Sequence, residues 1–318
     1  MSMNAAVVRS FDRPPRYETY EVPVPSGPDE LIAKVVATGL HPRVRTEASG
    51  THYTSDGVLP MIPGIDGVAL LDDGRRVYFV TPSGSMADLA LINMNRTVAL
   101  PDAVDPAKVA AAMNPAMSSW VALRRRVPLE GGQSVLVLGA TGNAGGMAIQ
   151  VAKLLGAGRV IGAGRNSERL AGLPSLGADE VVPLTGDPDA TARALADAAA
   201  DVDIVIDYLW GPPTEAAVVA LLTARSDRSK SLDWIEIGAV AGPTVELPSV
   251  ALRSANLRIQ GVGQGAVSPE GYRAELGALV REIEEGRISV NVKSVPLSEV
   301  EETWTALSEP GIRTVFVP

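Results

Sequence analysis

The chain has 318 residues, 46% of them hydrophobic, which is enough for two domains with a sizeable core. Its 37 Asp and Glu against 28 Lys and Arg leave a net charge of −9, an argument against nucleic acid or an anionic membrane surface as a partner. There is no cysteine, so disulfides, thiolate-held zinc or iron–sulfur groups and thiol chemistry are all excluded.

The N-terminus has no signal-type apolar segment after its first basic residue, so a cytoplasmic protein is expected. Residues 131–152 carry no charge, yet their glycines and polar Gln, Ser, Thr and Asn speak against a membrane span. Stretches 5–8, 31–38, 67–71, 76–80 and 89–92 read as short strands punctuated by Pro and Gly. Asp105 as N-cap, with Pro106 in the first helical position, opens a helix running to Met113. A second helix is expected over 119–125, its Arg124, Arg125 and Arg126 forming a solvated end. From Ser134 the texture changes. Strands at 135–138, 160–163, 180–182, 204–206, 234–237 and 258–261 alternate with helices, the Ala-rich 190–200 among them. That alternation predicts an α/β fold with a doubly wound parallel sheet. The last fifty or so residues return to helix and short strands.

One segment says what is bound. Residues 134–145 read as a buried strand, a glycine turn and the start of a helix, the order that a dinucleotide's pyrophosphate requires. The strand fixes the turn, the turn has little bulk, and the helix offers unpaired N–H groups to the phosphates. Gly142 sits where a Cβ would hold the backbone off the pyrophosphate, and Gly145 where helix and strand must touch. Thr141, Asn143 and Ala144 complete the set facing the phosphates. Ala140 replaces the first glycine of the usual pattern, and an ordinary strand–turn–helix is the plain alternative.

The end of the second strand discriminates between cofactors. NAD-selective sites place an acid there, whereas this chain reads Gly164, Arg165, Asn166, Ser167, with the first acid at Glu168. Arg165 offers a permanently charged fork for a 2′-phosphate, and Asn166 and Ser167 can add hydrogen bonds, so NADPH is expected over NADH. The plain alternative makes Arg165 a surface residue and Ser167 a helix N-cap. Gly238 and Ala239 after the fifth strand, and Gly263 after the sixth, are expected to bring backbone near the nicotinamide. Residues 207–211 fall on the adenine side.

The order of these parts resembles the medium-chain dehydrogenase/reductase superfamily. Local matches extend over nearly the whole chain: Ala37-Thr38-Gly39-Leu40-His41-Pro42, then 60–67 with its Pro-Gly-x-Asp-Gly core, then Arg76-Val77 followed by Ala87-Asp88, then Ser118-Ser119-Trp120-Val121-Ala122-Leu123. The resemblance implies a mainly β GroES-like catalytic domain from 1–115 and 265–318, around a Rossmann domain at 116–264. It lies nearest the zinc-free quinone oxidoreductase branch, because zinc-dependent relatives carry Cys where this chain has His41 and His where it has Ile65. His41 and His52 alone cannot form a three-ligand zinc site, so no metal is expected.

The activity implied is hydride transfer from NADPH to a quinone or α,β-unsaturated carbonyl. Tyr53, which follows a segment resembling the branch's Ser-Gly-x-Tyr, is the first candidate proton donor or substrate orienter. His52 is the second, and His41 is a further catalytic candidate where relatives often carry Asn. Solvent as the proton source is an equal alternative. Ser118 matches a Thr that touches the cofactor in relatives. The resemblance also implies a homodimer joined through the strand at 257–261. Two other readings stay open: an enoyl-thioester reductase of the same superfamily, and a non-catalytic NADPH-binding redox sensor.

Overall fold

The computed structural model describes residues 1–307 and 309–318. They form two compact units, Met1–Pro115 with Arg273–Pro318, and Ala116–Tyr272.

The first unit is mainly β. An antiparallel ribbon joins β1 (Ser2–Val7) to β2 (Arg16–Glu21). A seven-stranded sheet is built from β3 (Glu30–Gly39), β4 (Asp66–Leu70), β5 (Arg76–Val80), β6 (Leu89–Asn93) and β7 (Thr97–Ala99) with two strands from the chain's end. Helix α1 (Pro42–Ala48) follows β3. The sequence reading missed β2, β7 and α1. Strand β2 is Arg-Tyr-Glu-Thr-Tyr-Glu with no buried residue, so it lacks the apolar alternation that marks a strand.

Helix α2 spans Pro106–Val121, with Asp105 Oδ1 accepting from Ala107 N at 2.9 Å at its start. It corrects the expectation of two helices, because it continues through Pro115 and ends in one wide turn at Ala122–Arg126. Val109–Met113, Ala116, Met117, Ser119 and Trp120 are all buried, and that burial outweighs the lost hydrogen bond of an internal proline. Arg124 and Arg125 are exposed on the last turn, as expected.

The second unit is the parallel sheet. In chain order it contains β8 (Ser134–Leu138), α3 (Asn143–Leu154), β9 (Arg159–Gly164), α4 (Ser167–Gly172), β10 (Glu180–Pro183), α5 (Pro188–Ala199), β11 (Ile204–Asp207), α6 (Gly211–Ala224), β12 (Leu232–Glu236), α7 (Ser249–Arg253) and β13 (Leu257–Gly261). The spatial order is β10-β9-β8-β11-β12-β13, parallel throughout. All six predicted strands are present. Successive strands are added on one side of β8 as far as β10 and on the other from β11, so the crevice between the carboxyl ends of β8 and β11 is the switch point where such sheets bind ligands. Helix α8 (Pro269–Glu284) leads to β14 (Asn291–Pro296), α9 (Val300–Thr305) and β15 (Ile312–Val317), which return to the first unit's sheet. Strand β15 pairs with both β14 and β3.

A single arginine staples the second sheet from behind. Arg225 is 4% exposed, and its guanidinium donates to the carbonyls of Ala200 at 2.8 Å, Val202 at 2.9 Å, Lys230 at 3.4 Å and Ser231 at 3.0 Å. It therefore closes the turns that lead into β11 and β12. Replacing it by Met leaves those carbonyls unpaired, and chemical denaturation is expected to show a loss of about 3 kcal/mol. Arg225→Lys, with its single ammonium in place of the planar fork, is expected to recover less than half of that.

Candidate active site

The turn after β8 has the local geometry that a phosphate needs. Gly139 turns the chain at φ +83°, and both Gly139 N and Ala140 N donate to Ala163 O of β9, at 3.0 and 2.9 Å. Gly142 is the N-cap of α3, so no side chain caps the helix and its first N–H groups point outward with the positive end of the dipole. The glycines play different parts. A Cβ on Gly145 would overlap Gly139 O and stand 2.7 Å from Ala140 Cα, so helix and turn touch backbone to backbone there. Gly142 has an ordinary extended backbone, φ −77° and ψ 164°, and a Cβ on it would meet only Gly139 O at 3.3 Å. Little inside the protein requires Gly142 to be bare. A bare backbone there is compatible with the close approach of an anion.

Thr141 packs against the end of β9, where a Cβ on Gly164 would come within 2.5 Å of its Cγ2. Arg165, next along, is exposed and makes no ion pair among the described residues. Asn166 rather than Ser167 caps α4, its Oδ1 accepting from Arg169 N at 2.9 Å. The carbonyl oxygen of Asn166 is thus engaged with its own helix. Asn143 and Ala144 occupy the first turn of α3, half-buried.

Across the switch point, the loop after β11 holds Tyr208, whose hydroxyl lies 2.9 Å from Ser118 Oγ. Burial pushes Tyr208 up to about 12, with the serine hydroxyls pulling it down. Gly238 and exposed Ala239 follow β12, and Gly238 N donates to Asp207 O at 3.3 Å. Gly263 stands in the turn after β13, its carbonyl accepting from Ala266 N and from the Tyr272 hydroxyl. Apart from Ser118, which lies on α2, the predicted cofactor residues therefore lie along the carboxyl edge of one sheet or on the helix turn that joins it. Glu236, paired in register with Asp207, is pushed up by burial and then by that neighbouring carboxylate.

In the first unit the two other candidates have opposite surroundings. Tyr53 is 71% exposed and stacks on His52, ring centroids 4.4 Å apart. His52 Nδ1 lies 2.6 Å from Thr54 Oγ1, which donates to Glu47 Oε1 at 3.2 Å. His41 is 1% exposed and belongs to a buried cluster that sequence reasoning did not anticipate. Tyr78 donates to Asp66 Oδ2 at 2.7 Å, while His41 Nε2 stands 3.3 Å from Asp66 Oδ1 without making a hydrogen bond. Arg313 donates to Leu40 O, and burial lowers it to about 10 against the pull of Asp66. Burial, outweighing Asp66, also lowers His41, so the imidazole is held neutral.

The chain matches the family described as Zinc-binding dehydrogenase over residues 144–278. It is 31% identical to "Probable NADPH-dependent quinone reductase tdiC" of Emericella nidulans, across 99% of this chain and 100% of that protein. This chain belongs to the medium-chain dehydrogenase/reductase family, in its quinone oxidoreductase-like branch. The rat quinone oxidoreductase shares 35% identity over about half of each chain, 50% and 51%. Among solved structures, the quinone oxidoreductase of Thermus thermophilus, described with its NADPH complex, covers 99% of this chain and 100% of its own at a TM-score of 0.81 and 27% identity. The zinc in the family's description does not suit the donors present. His41 and Asp66 are two potential ligands, one Asp66 oxygen is taken by Tyr78, and no group of three or more such residues forms among the described residues.

Two tests follow from this geometry. Gly142→Ala is expected to leave the thermal midpoint within a few degrees while weakening dinucleotide binding about tenfold or more. Gly145→Ala is expected to destabilise the fold itself, read by the same melt. The buried His41 gives a pH dependence: its folded value lies below the unfolded 6.5, so the stability it contributes is present above about 6.5 and is lost as pH falls. Melts of His41→Asn are expected to lose less stability than the parent on acidification from neutral; an identical loss contradicts the buried neutral assignment.

Proposed function

We propose that the chain is an NADPH-dependent, zinc-independent oxidoreductase acting on a quinone or α,β-unsaturated carbonyl. The observation that carries this reading is Gly142, bare at the uncapped end of α3 for no strong internal reason. A dinucleotide pyrophosphate fits that requirement. Arg165 supports the phosphorylated cofactor, since it is exposed just after β9, with no ion pair among the described residues, where an NAD site carries an acid. Asn166, with its oxygen spent as a cap, is left with its amide N–H groups for the same phosphate. Gly238, Ala239 and Gly263 offer backbone along the nicotinamide side, and Ser118, tied to Tyr208, fixes a hydroxyl near the switch point.

When bound, the cofactor supplies the hydride. The chain supplies orientation, exclusion of water and the means for a proton to reach the product. A conjugated acceptor takes hydride at carbon, and its developing oxyanion needs only hydrogen-bond donors. No Lewis acid enters this reaction. Tyr53 is the group assigned to orient the substrate or donate the proton, because its side chain is exposed. His41 is sealed inside the Asp66 cluster and is given a structural part rather than a catalytic one. We place a homodimer contact at β13, the outer strand of the parallel sheet, whose free edge can continue the sheet into a second copy.

The test is NADPH oxidation against a benzoquinone, a naphthoquinone, an enone and an enoyl thioester, with and without chelator. Turnover on quinone or enone that chelator leaves unchanged supports the reading. Turnover only on the thioester favours an enoyl reductase, and saturable NADPH binding without turnover favours a sensor. Arg165→Ala is expected to raise the KM for NADPH about tenfold while leaving that for NADH nearly unchanged. Equal changes contradict the 2′-phosphate assignment.

A further inference from the structure

Asp207, the last residue of β11, is fully buried, and its carboxylate is saturated. Oδ1 accepts from Leu209 N at 2.8 Å and Trp210 N at 3.1 Å. Oδ2 accepts from Thr214 Oγ1 at 2.6 Å and from Trp234 Nε1 at 2.9 Å. None of these donors carries a charge, so the fold buries an anion with neutral partners only, a costly choice if stability were its sole purpose.

The two backbone donors explain what the anion holds in place. Trp210 has φ +52° and ψ −172°, the only positive φ outside glycine among the described residues, in a region that side chains avoid. Such strain persists only where its surroundings impose it, and it concentrates at functional sites. Asp207 imposes it by drawing Leu209 N and Trp210 N inward to one oxygen. The loop so formed faces the glycine turn: Leu209 Cδ2 and Tyr208 Cβ would lie 3.1 and 3.3 Å from a Cβ on Gly139. It also carries the loop after β12, because Ala241 N donates to Leu209 O at 2.7 Å and Val240 N to Tyr208 O at 3.4 Å. Gly211 and Gly242 meet there backbone to backbone, a Cβ on Gly211 standing 3.0 Å from Gly242 Cα.

We propose that Asp207 is a positioning residue for dinucleotide binding, which sets the β11–β12 wall of the switch-point crevice by holding Trp210 at its positive φ. It acts through Leu209 and the residues after β12. The proposal rests on the NADPH reading given above.

The test is calorimetric titration of the intact protein with NADP⁺ and with adenosine 2′,5′-bisphosphate, alongside a thermal melt of every variant. Asp207→Asn keeps the size of the side chain but cannot accept all four bonds, and its affinity for NADP⁺ is expected to fall about tenfold or more at a temperature where the melt shows it folded. Glycine adopts the Trp210 backbone without help, so Trp210→Gly serves as the reference for a double-variant cycle: adding Asp207→Asn to it is expected to cost less than about twofold, glycine rescuing most of the loss that Asp207→Asn causes in the parent. A merely structural Asp207 would move the melt and leave the binding constant alone, and it would show no such rescue. Unchanged affinity in Asp207→Asn, or no recovery in the double variant, overturns the proposal. Should Asp207→Asn fail to fold, Trp234→Phe removes one donor with little change in packing; several-fold weaker binding is expected, and parental affinity overturns the proposal. A parent protein that binds no dinucleotide overturns the cofactor reading and this proposal together. A parent that binds beside an Asp207→Asn variant of equal affinity overturns this proposal alone.

Discussion

The buried carboxylate of Asp207 is the constraint on which the carboxyl edge of the parallel sheet depends. It takes two donors from the backbone that follows it and two from side chains on α6 and β12. A loop that would otherwise be free to choose among conformations has one, with Leu209 and Tyr208 fixed against Gly139. Trp234, the largest fully buried side chain, both fills the core and donates to Asp207, so packing and polar order are set by the same residue. An aliphatic residue at 234 would fill that core and leave the loop without one of its anchors.

On the other side of the crevice the restraint comes from small size rather than from hydrogen bonding. Gly145 lets α3 start against the turn, Gly164 gives room to Thr141, and Gly142 is left open. The two sides are complementary. One is rigid because its polar groups are satisfied, the other because its backbone atoms already touch. Both reduce the reorganisation that a bound anion would demand. The first unit handles charge differently: Asp66, Tyr78, Arg313 and His41 are all buried, and burial lowers both His41 and Arg313.

Much of the parallel sheet was legible in the sequence, because strands buried on both faces read as continuous apolar runs separated by helical spacing. The glycine turn was legible too, since close approach leaves a mark in composition. Strand β2 was not, because both its faces are polar or aromatic, and the continuity of α2 was hidden by Pro115, whose tolerance depends on tertiary burial. Along the site, local features could be read, such as an arginine rather than an acid after β9. Contacts whose partners come from distant segments could not. Nothing in the spacing of Asp207, Thr214 and Trp234 announces that they meet, nor that His41 lies beside Asp66 and Tyr78. The cap at Asn166 rather than Ser167 is a one-residue shift between two good capping residues, which propensity does not separate.

The most direct measurement is the fate of the hydride. NADPH carrying deuterium at its transferable position is incubated with an enone and this protein in the presence of chelator, and the product is examined by mass spectrometry and NMR. The account predicts one deuterium at the β-carbon of the saturated ketone, with the α-hydrogen drawn from solvent-exchangeable protons. Product formed without deuterium at that carbon, or turnover that stops when chelator is added, would contradict it.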